Sequence, residues 1–199
     1  MNGKFDEKHL IQPKRNVSYE DRCNNLSQRG LVIWFTGLSG AGKSTIASEL
    51  EKELITNKKA VYWLDGDTLR SGLNLDLGFS EEDRRENIRR LAEVAALFKD
   101  AGIIVLVSAI SPYMEMRDFA RIKAGEDGFI EVYVKADLET CQRRDPKGLY
   151  KKVRMGEIKN FTGISAAYEE PVTPDLIIDT DVLTIKESVQ TVLDQIITM

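Results

Sequence analysis

One glycine-rich stretch constrains this chain more than any other feature. Gly37-Leu38-Ser39-Gly40-Ala41-Gly42-Lys43-Ser44 follows an apolar run rich in β-formers, residues 31–35. It opens into residues 44–54, where Ile46, Ala47, Leu50 and Leu54 recur at helical spacing. That order predicts a buried strand, a tight turn and a helix. The pattern GxxxxGK(S/T) is met at every fixed position, in the strand-to-helix context it requires. Glycines let the backbone curl until several N–H groups point inward, and the helix start adds its positive dipole end. The stretch is expected to hold phosphate oxygens.

The rest of the chain alternates in the same way. Strands are predicted at 60–64, 103–107, 129–134 and 176–178, and helices at 81–99, 114–122 and 184–197. Ser80 with Asp83 three residues on is a helix-start signal for the longest of these. Alternation of strands and helices implies an α/β layered fold with a parallel sheet. Residues 1–29 are polar, charged and without a clear period, and read as an N-terminal arm on a domain spanning 30–199. A length of 199 residues fits one domain, and a net charge of −4 suggests neither nucleic acid nor an anionic membrane as partner. The longest apolar run is too short for a bilayer and the N-terminus lacks an apolar signal core, so a cytoplasmic location is expected. Cys23 and Cys141 form no CxxC pair, and His9 is the only histidine. Structural zinc, a disulfide framework and a Ser-His-Asp triad are accordingly disfavoured.

In open parallel sheets ligands lie beyond the carboxyl ends of the strands. After the second predicted strand come Asp65-Gly66-Asp67, and after the third Ser108 to Tyr113. The third strand ends without an acid, unlike a motor ATPase, and no guanine-reading NKxD follows a later strand. Two carboxylates one residue apart would face one side of an extended chain, where each could hold a magnesium-bound water or accept a hydroxyl proton. An Asx turn around Gly66 is the plainer reading of the same residues. Taken together, these features predict a small-metabolite kinase that uses ATP and Mg2+, with Lys43 reaching the β- and γ-phosphates and Ser44 ligating the metal. Gly37, Leu38, Ser39, Gly40, Ala41, Gly42, Lys43, Ser44 and Thr45 form the expected ATP site, and Ser44 and Asp65 the expected metal side.

Six separated blocks carry a more specific resemblance: the glycine-rich stretch, Asp65-GDTLR, Gly78-FSEEDRRENIRR, Ser111-PY, Arg144-DPKGLYKK and Phe161-TGISAAYEEP. In this order they resemble adenylylsulfate kinase, from about Asn25 to the C-terminus. The resemblance implies a P-loop NTPase three-layer fold: a mainly parallel five-stranded sheet with helices on both faces and a basic lid. It implies phosphorylation of adenosine 5′-phosphosulfate (APS) at the ribose 3′-hydroxyl, giving PAPS and ADP, by a homodimer. It assigns Asp67, Arg70, Phe79, Arg84 and Asn87 to the APS pocket, with Phe79 and Phe161 on opposite faces of the adenine. Ile110, Ser111 and Lys147 are expected to touch substrate, and Lys43, Asp65, Asp67 and Ser111 to act in catalysis. Arginine forks suit the phosphosulfate oxygens.

The family also gives the serine a phosphorylated-intermediate role. The residues themselves favour direct in-line transfer, because no base is evident beside Ser111 and phosphoryl transfer needs mainly positioning and charge neutralisation. The basic segment 143–154 reads as a solvated loop or as a lid that closes over the transferring group. One stretch departs from the family's FTGIDxPYE: Ser165 removes a charge and Ala167 frees φ. The rival readings are a kinase of another small metabolite, such as gluconate or shikimate, and a non-catalytic nucleotide-binding regulator. The first should lack the aromatic pair and the Arg84–Asn87 block, and the second should have lost Lys43 or the Asp pair.

Overall fold

A computed structural model describes residues 14–197. His9 and Pro13 lie outside the described residues. Five strands form one parallel sheet: β1 (Leu31–Thr36), β2 (Val61–Asp65), β3 (Ile104–Ser108), β4 (Phe129–Lys135) and β5 (Leu176–Asp179). Their spatial order is β2-β3-β1-β4-β5. Each predicted strand is present, extended by one residue or shifted by one at its start.

The sheet is covered on both faces, which is why the central strand β1 is buried at every position. Leu31, Ile33 and Phe35 face a core built with α2 (Lys43–Thr56) and α8 (Ile185–Ile197). Val32 and Trp34 face the opposite core, built with α4 (Glu81–Asp100) and α5 (Met114–Ala124). Helix α4 starts at the predicted place, where the Ser80 side chain accepts from Asp83 N–H and Asp83 returns a bond to the Ser80 backbone.

Helical segments α1 (Tyr19–Leu26), α3 (Gly66–Arg70) and α7 (Leu149–Arg154) are additions to the pattern read from sequence, and α6 (Leu138–Arg144) follows β4 as a short helix. In α1, Ser18 and Asp21 form the same capping box as at α4. The described part of the N-terminal segment is therefore structured and packs on its own chain. Arg22 donates to the Asp100 carbonyl at 2.5 Å and pairs with its carboxylate at 2.7 Å. Gln28 bridges the Ala60 and Gly102 carbonyls and accepts from Ala60 N–H, tying together the entries to β2 and β3. This is the end of the sheet opposite the functional site.

The sheet's register sets that site. Thr36 at the end of β1, Asp65 at the end of β2 and Ser108 at the end of β3 come out side by side, with Asp65 paired to Ser108 and Phe35 to Ser108. The strand order reverses direction at β1, so the glycine-rich loop emerges at the topological switch point, where open α/β sheets bind ligands.

Candidate active site

Helix α2 begins unlike α1 and α4. Its N-cap is Gly42, at φ 107°, with no side-chain cap and no acidic residue in the first turn. The first-turn N–H groups have no side-chain acceptor of their own, and the dipole's positive end is not offset by a carboxylate. An anion is the natural partner for such an end. The loop before it tolerates little beyond glycine. A Cβ on Gly37, at φ 144°, would lie 2.3 Å from the Val134 carbonyl oxygen, and one on Gly40, at φ 81°, 2.9 Å from that of Cys141. Lys43 is 8% exposed, and its Nζ donates to the Gly37 and Leu38 carbonyls at 2.8 Å each. Burial pushes this amine down from the ordinary 10.5 to about 8, Lys147 adding to the effect while Cys141, Asp67 and Asp65 oppose it.

The acids are not on an extended chain. Asp65 is the N-cap of α3, and Asp67 lies inside that short helix, so the alternating-strand premise for the pair is wrong. The turn forms because Asp65 Oδ1 accepts from the N–H groups of Asp67 and Thr68, at 3.1 Å each. Its other oxygen accepts from Ser44 Oγ and Ser108 Oγ, at 2.9 Å each. Burial works to raise the Asp65 pKa. The Thr68 N–H, the two serine hydroxyls and the charge of Lys147 outweigh it and hold the carboxyl below the ordinary range. Ser108 escaped the sequence reading, although the strand ends carried its signal: it stands directly across from Asp65 in the β2–β3 register. Asp67 instead forms an ion pair with Lys147, which reaches across from the loop between α6 and α7.

The segment read as a basic lid is mostly helical. Arg144, at the end of α6, bonds the Thr180 hydroxyl at 2.9 Å and the Thr180 carbonyl at 2.7 Å. Tyr150, on α7, donates to the Ser39 carbonyl at 2.9 Å. Both helices are thus fastened to the glycine-rich loop or its neighbours.

A cavity of about 1100 Å³ runs from this loop past the acids to α4. It is lined by Ser39, Gly40, Ala41, Gly42, Lys43, Ser44 and Thr45 at one end. Asp65, Asp67, Arg70, Phe79, Arg84, Asn87, Ile110, Ser111, Lys147 and Phe161 line the rest. Of the residues predicted from sequence, only Gly37 and Leu38 do not line it; their carbonyls face Lys43. Phe79 is 65% exposed, with the Arg70 guanidinium 4.6 Å from its ring centre. Phe161 is buried, edge-on to Tyr150 at 5.0 Å, so much of its ring belongs to the core. Arg84 donates to Thr162 Oγ1 at 2.6 Å and to the Asn160 carbonyl at 2.7 Å, joining α4 to the stretch that carries Phe161. Asn87 is buried and accepts from the Asn74 amide at 3.0 Å. Ser165 explains its own tolerance: its hydroxyl accepts from Phe161 N–H at 2.9 Å and closes the turn with an uncharged acceptor.

Ser111 is 1% exposed, at φ 40°, and its hydroxyl accepts from the Trp34 indole N–H at 3.0 Å. An indole N–H donates only, so it cannot take a proton from the serine. Ser111→Ala should remain active. It leaves the buried indole unpaired, so stability should drop by about 1–3 kcal/mol, with a raised KM for the acceptor. Thermal denaturation and initial rates check this, and complete inactivity in a folded variant would contradict it.

Comparison with known proteins gives the chain's family. The adenylylsulphate kinase family profile matches residues 29–179. An adenylyl-sulfate kinase of Oceanobacillus iheyensis is 55% identical over 185 residues, covering 93% of each chain. One from Geotalea uraniireducens is 53% identical over 185 residues, covering 93% of this chain and 89% of its own. The structure of the Mycobacterium tuberculosis APS kinase in complex with AMPPNP and APS superimposes with a TM-score of 0.81 at 51% identity, covering 85% of this chain and 98% of that one. A gluconokinase from Sinorhizobium meliloti, at 15% identity and a TM-score of 0.54, shares the fold alone. With the phosphate cradle, the paired acids and the α4 arginine block all opening on one cavity, and with relatives alike over nearly the whole length, this chain belongs to the adenylylsulphate kinase family.

Proposed function

We propose that ATP and APS share the cavity end to end, and that the γ-phosphoryl group passes directly to the ribose 3′-hydroxyl, giving PAPS and ADP. The observation that carries this is the continuity of the cavity. One end has the uncapped α2 start and Lys43, the other has Arg70, Phe79, Arg84 and Asn87, and Asp65 and Asp67 lie between them. Arg70 and Arg84 suit the phosphosulfate oxygens, and the exposed Phe79 ring suits a purine face. Lys43 would neutralise charge on the group in flight. Asp67, freed from Lys147 or together with it, would orient the ribose.

The residues present fit magnesium. Ser44 Oγ and Asp65 Oδ2 are hard oxygen donors 2.9 Å apart, on a carboxylate held ionised. Among the described residues no group of three or more His, Cys, Asp or Glu forms a metal cage. Magnesium needs none, because it keeps water and binds through one or two protein oxygens and substrate phosphates. When bound, it would supply charge neutralisation at the β- and γ-phosphates. The low pKa of Asp65 makes it a weak base, so holding the metal's surroundings is its better role.

Among the described residues no helix is long and apolar enough to cross a membrane. A homodimer, on the family resemblance, and a cytoplasmic location, on the sequence's lack of an apolar signal core, belong to the same proposal.

Rates of ADP release with APS, gluconate, shikimate or AMP as acceptor test the function. Turnover should depend on APS and be negligible with the others. Gluconate or shikimate turnover exceeding that with APS would overturn the reading.

The buried amine gives a second test. The unfolded chain keeps the Lys43 proton up to the ordinary 10.5, while the folded chain loses it near 8. Between those pH values the unfolded state binds more protons, so this group's contribution to stability rises as pH rises through that window. A polyphosphate beside the amine favours the charged form. Nucleotide binding near pH 9 should therefore take up about one proton. Calorimetry in buffers of different ionisation enthalpy measures it, and zero uptake would show that the free protein already holds the amine charged.

A further inference from the structure

The acceptor end of the cavity is bounded by the turn Ile110-Ser111-Pro112, and that turn is strained. Ser111 is a non-glycine residue at φ 40°, in the left-handed region. Such a backbone persists only where its surroundings over-determine it. Here the surroundings do so through the carbonyls. Ile110 O accepts from Thr36 Oγ1 at 2.7 Å, Ser111 O from Arg117 at 2.8 Å, and Pro112 O from Glu169 N–H at 2.7 Å.

Arg117, on α5, is the group that unites these contacts. It is 2% exposed. Its Nε pairs with Glu131 Oε1 on β4 at 2.7 Å. One terminal nitrogen donates to the Ser111 carbonyl and the other to the Glu169 carbonyl, each at 2.8 Å. A single guanidinium therefore joins the sheet, the strained turn and the segment running on from Phe161. The carboxylate balances the buried charge, and the fork fixes two backbone carbonyls in space. A lysine could keep the charge opposite Glu131, but not both carbonyl bonds as well.

We propose that Arg117 is a positioning residue for the acceptor: it holds the Ser111 turn in the conformation that presents Ile110 and Ser111 to the cavity. The inference rests on the reading of this end as the APS side. It assigns Arg117 no contact with substrate; its effect passes through the Ser111 backbone.

Arg117→Met alone would leave Glu131 in the interior with only the longer Arg121 pair at 3.9 Å, so a loss of activity there would not separate misfolding from positioning. The informative pair is Arg117→Lys, which keeps the ion pair, and Arg117→Met with Glu131→Gln, which removes both charges. In each, the KM for APS should rise about tenfold or more through the lost charge-assisted bonds, while the KM for ATP stays within about twofold. The Trp34 indole N–H bonds the Ser111 hydroxyl, so its NMR resonance should shift without any substrate present, with the Trp63 indole as internal reference. That resonance keeps the two readings apart. If the unaltered enzyme does not use APS, the functional reading fails, yet a shifted Trp34 signal still establishes that Arg117 holds the turn. A wild-type KM for APS with an unshifted Trp34 signal in folded Arg117→Lys would overturn the inference. So would a loss of activity that tracks the folded fraction and leaves both KM values unchanged.

Discussion

Lys43→Ala should abolish measurable turnover with APS while the protein stays folded. The amine is buried in the glycine-rich loop, donating to the Gly37 and Leu38 carbonyls at 2.8 Å each. Removing it deletes charge that the transferring group needs, and preorganised charge of this kind is worth about 10²–10³ in kcat for even one donor. The folding cost should be small by comparison. The substitution also removes a desolvated ammonium, which offsets part of the lost packing. Circular dichroism should superimpose on the parent, with initial rates at background. Near-normal kcat in a folded Lys43→Ala protein would refute the phosphate-cradle assignment.

Asp65→Asn comes next in expected size, and it separates chemistry from folding unusually well. Asparagine is as good an N-cap as aspartate, so its carbonyl oxygen can take the Asp67 and Thr68 N–H bonds. Its amide can donate to the Ser44 and Ser108 hydroxyls, which also accept. Helix α3 and the β2–β3 register should survive while the negative charge does not. We expect kcat to fall by about 10²-fold or more, with part of the loss recovered by raising magnesium. A fall that magnesium cannot relieve would make Asp65 the proton acceptor instead. Unchanged kcat at low magnesium would remove it from the site.

The legibility of this chain varied with the range of the interactions involved. Strand β1, the glycine-rich turn and α2 were plain because their signals are local: an apolar run, glycines where the backbone curls, and apolar residues at helical spacing. The cap of α4 was equally local, and the same Ser-x-x-Asp signal at Ser18 and Asp21 marks α1, where the polar surroundings hid it. Asp65 and Asp67 were found as residues but not as geometry. The Asx turn around Gly66 forms, with Asp65 Oδ1 accepting from Asp67 N–H, and the same side chain caps a helix that carries Asp67 around with it. What sequence could not yield were partners distant in the chain. Ser108 meets Asp65 only through sheet register, and Arg117 meets Ser111 and Glu169 only because α5 packs beside β4 and the segment after Phe161 returns across the turn. The lid shows the same limit. Arg143 to Arg154 read as a charge run, but its fixed points, Arg144 on Thr180 and Tyr150 on Ser39, are contacts between segments 36 and 111 residues apart.

The most direct test of the account is the fate of the γ-phosphate. The purified full chain is incubated with ATP, magnesium and APS, and the product is mapped by phosphorus–proton correlation NMR. The account predicts one new phosphomonoester correlated with the ribose H3′, formed in step with ADP, with the phosphosulfate intact. Phosphate on another position, ADP formed without a phosphorylated APS product, or no reaction with APS under conditions where another acceptor is used would contradict it.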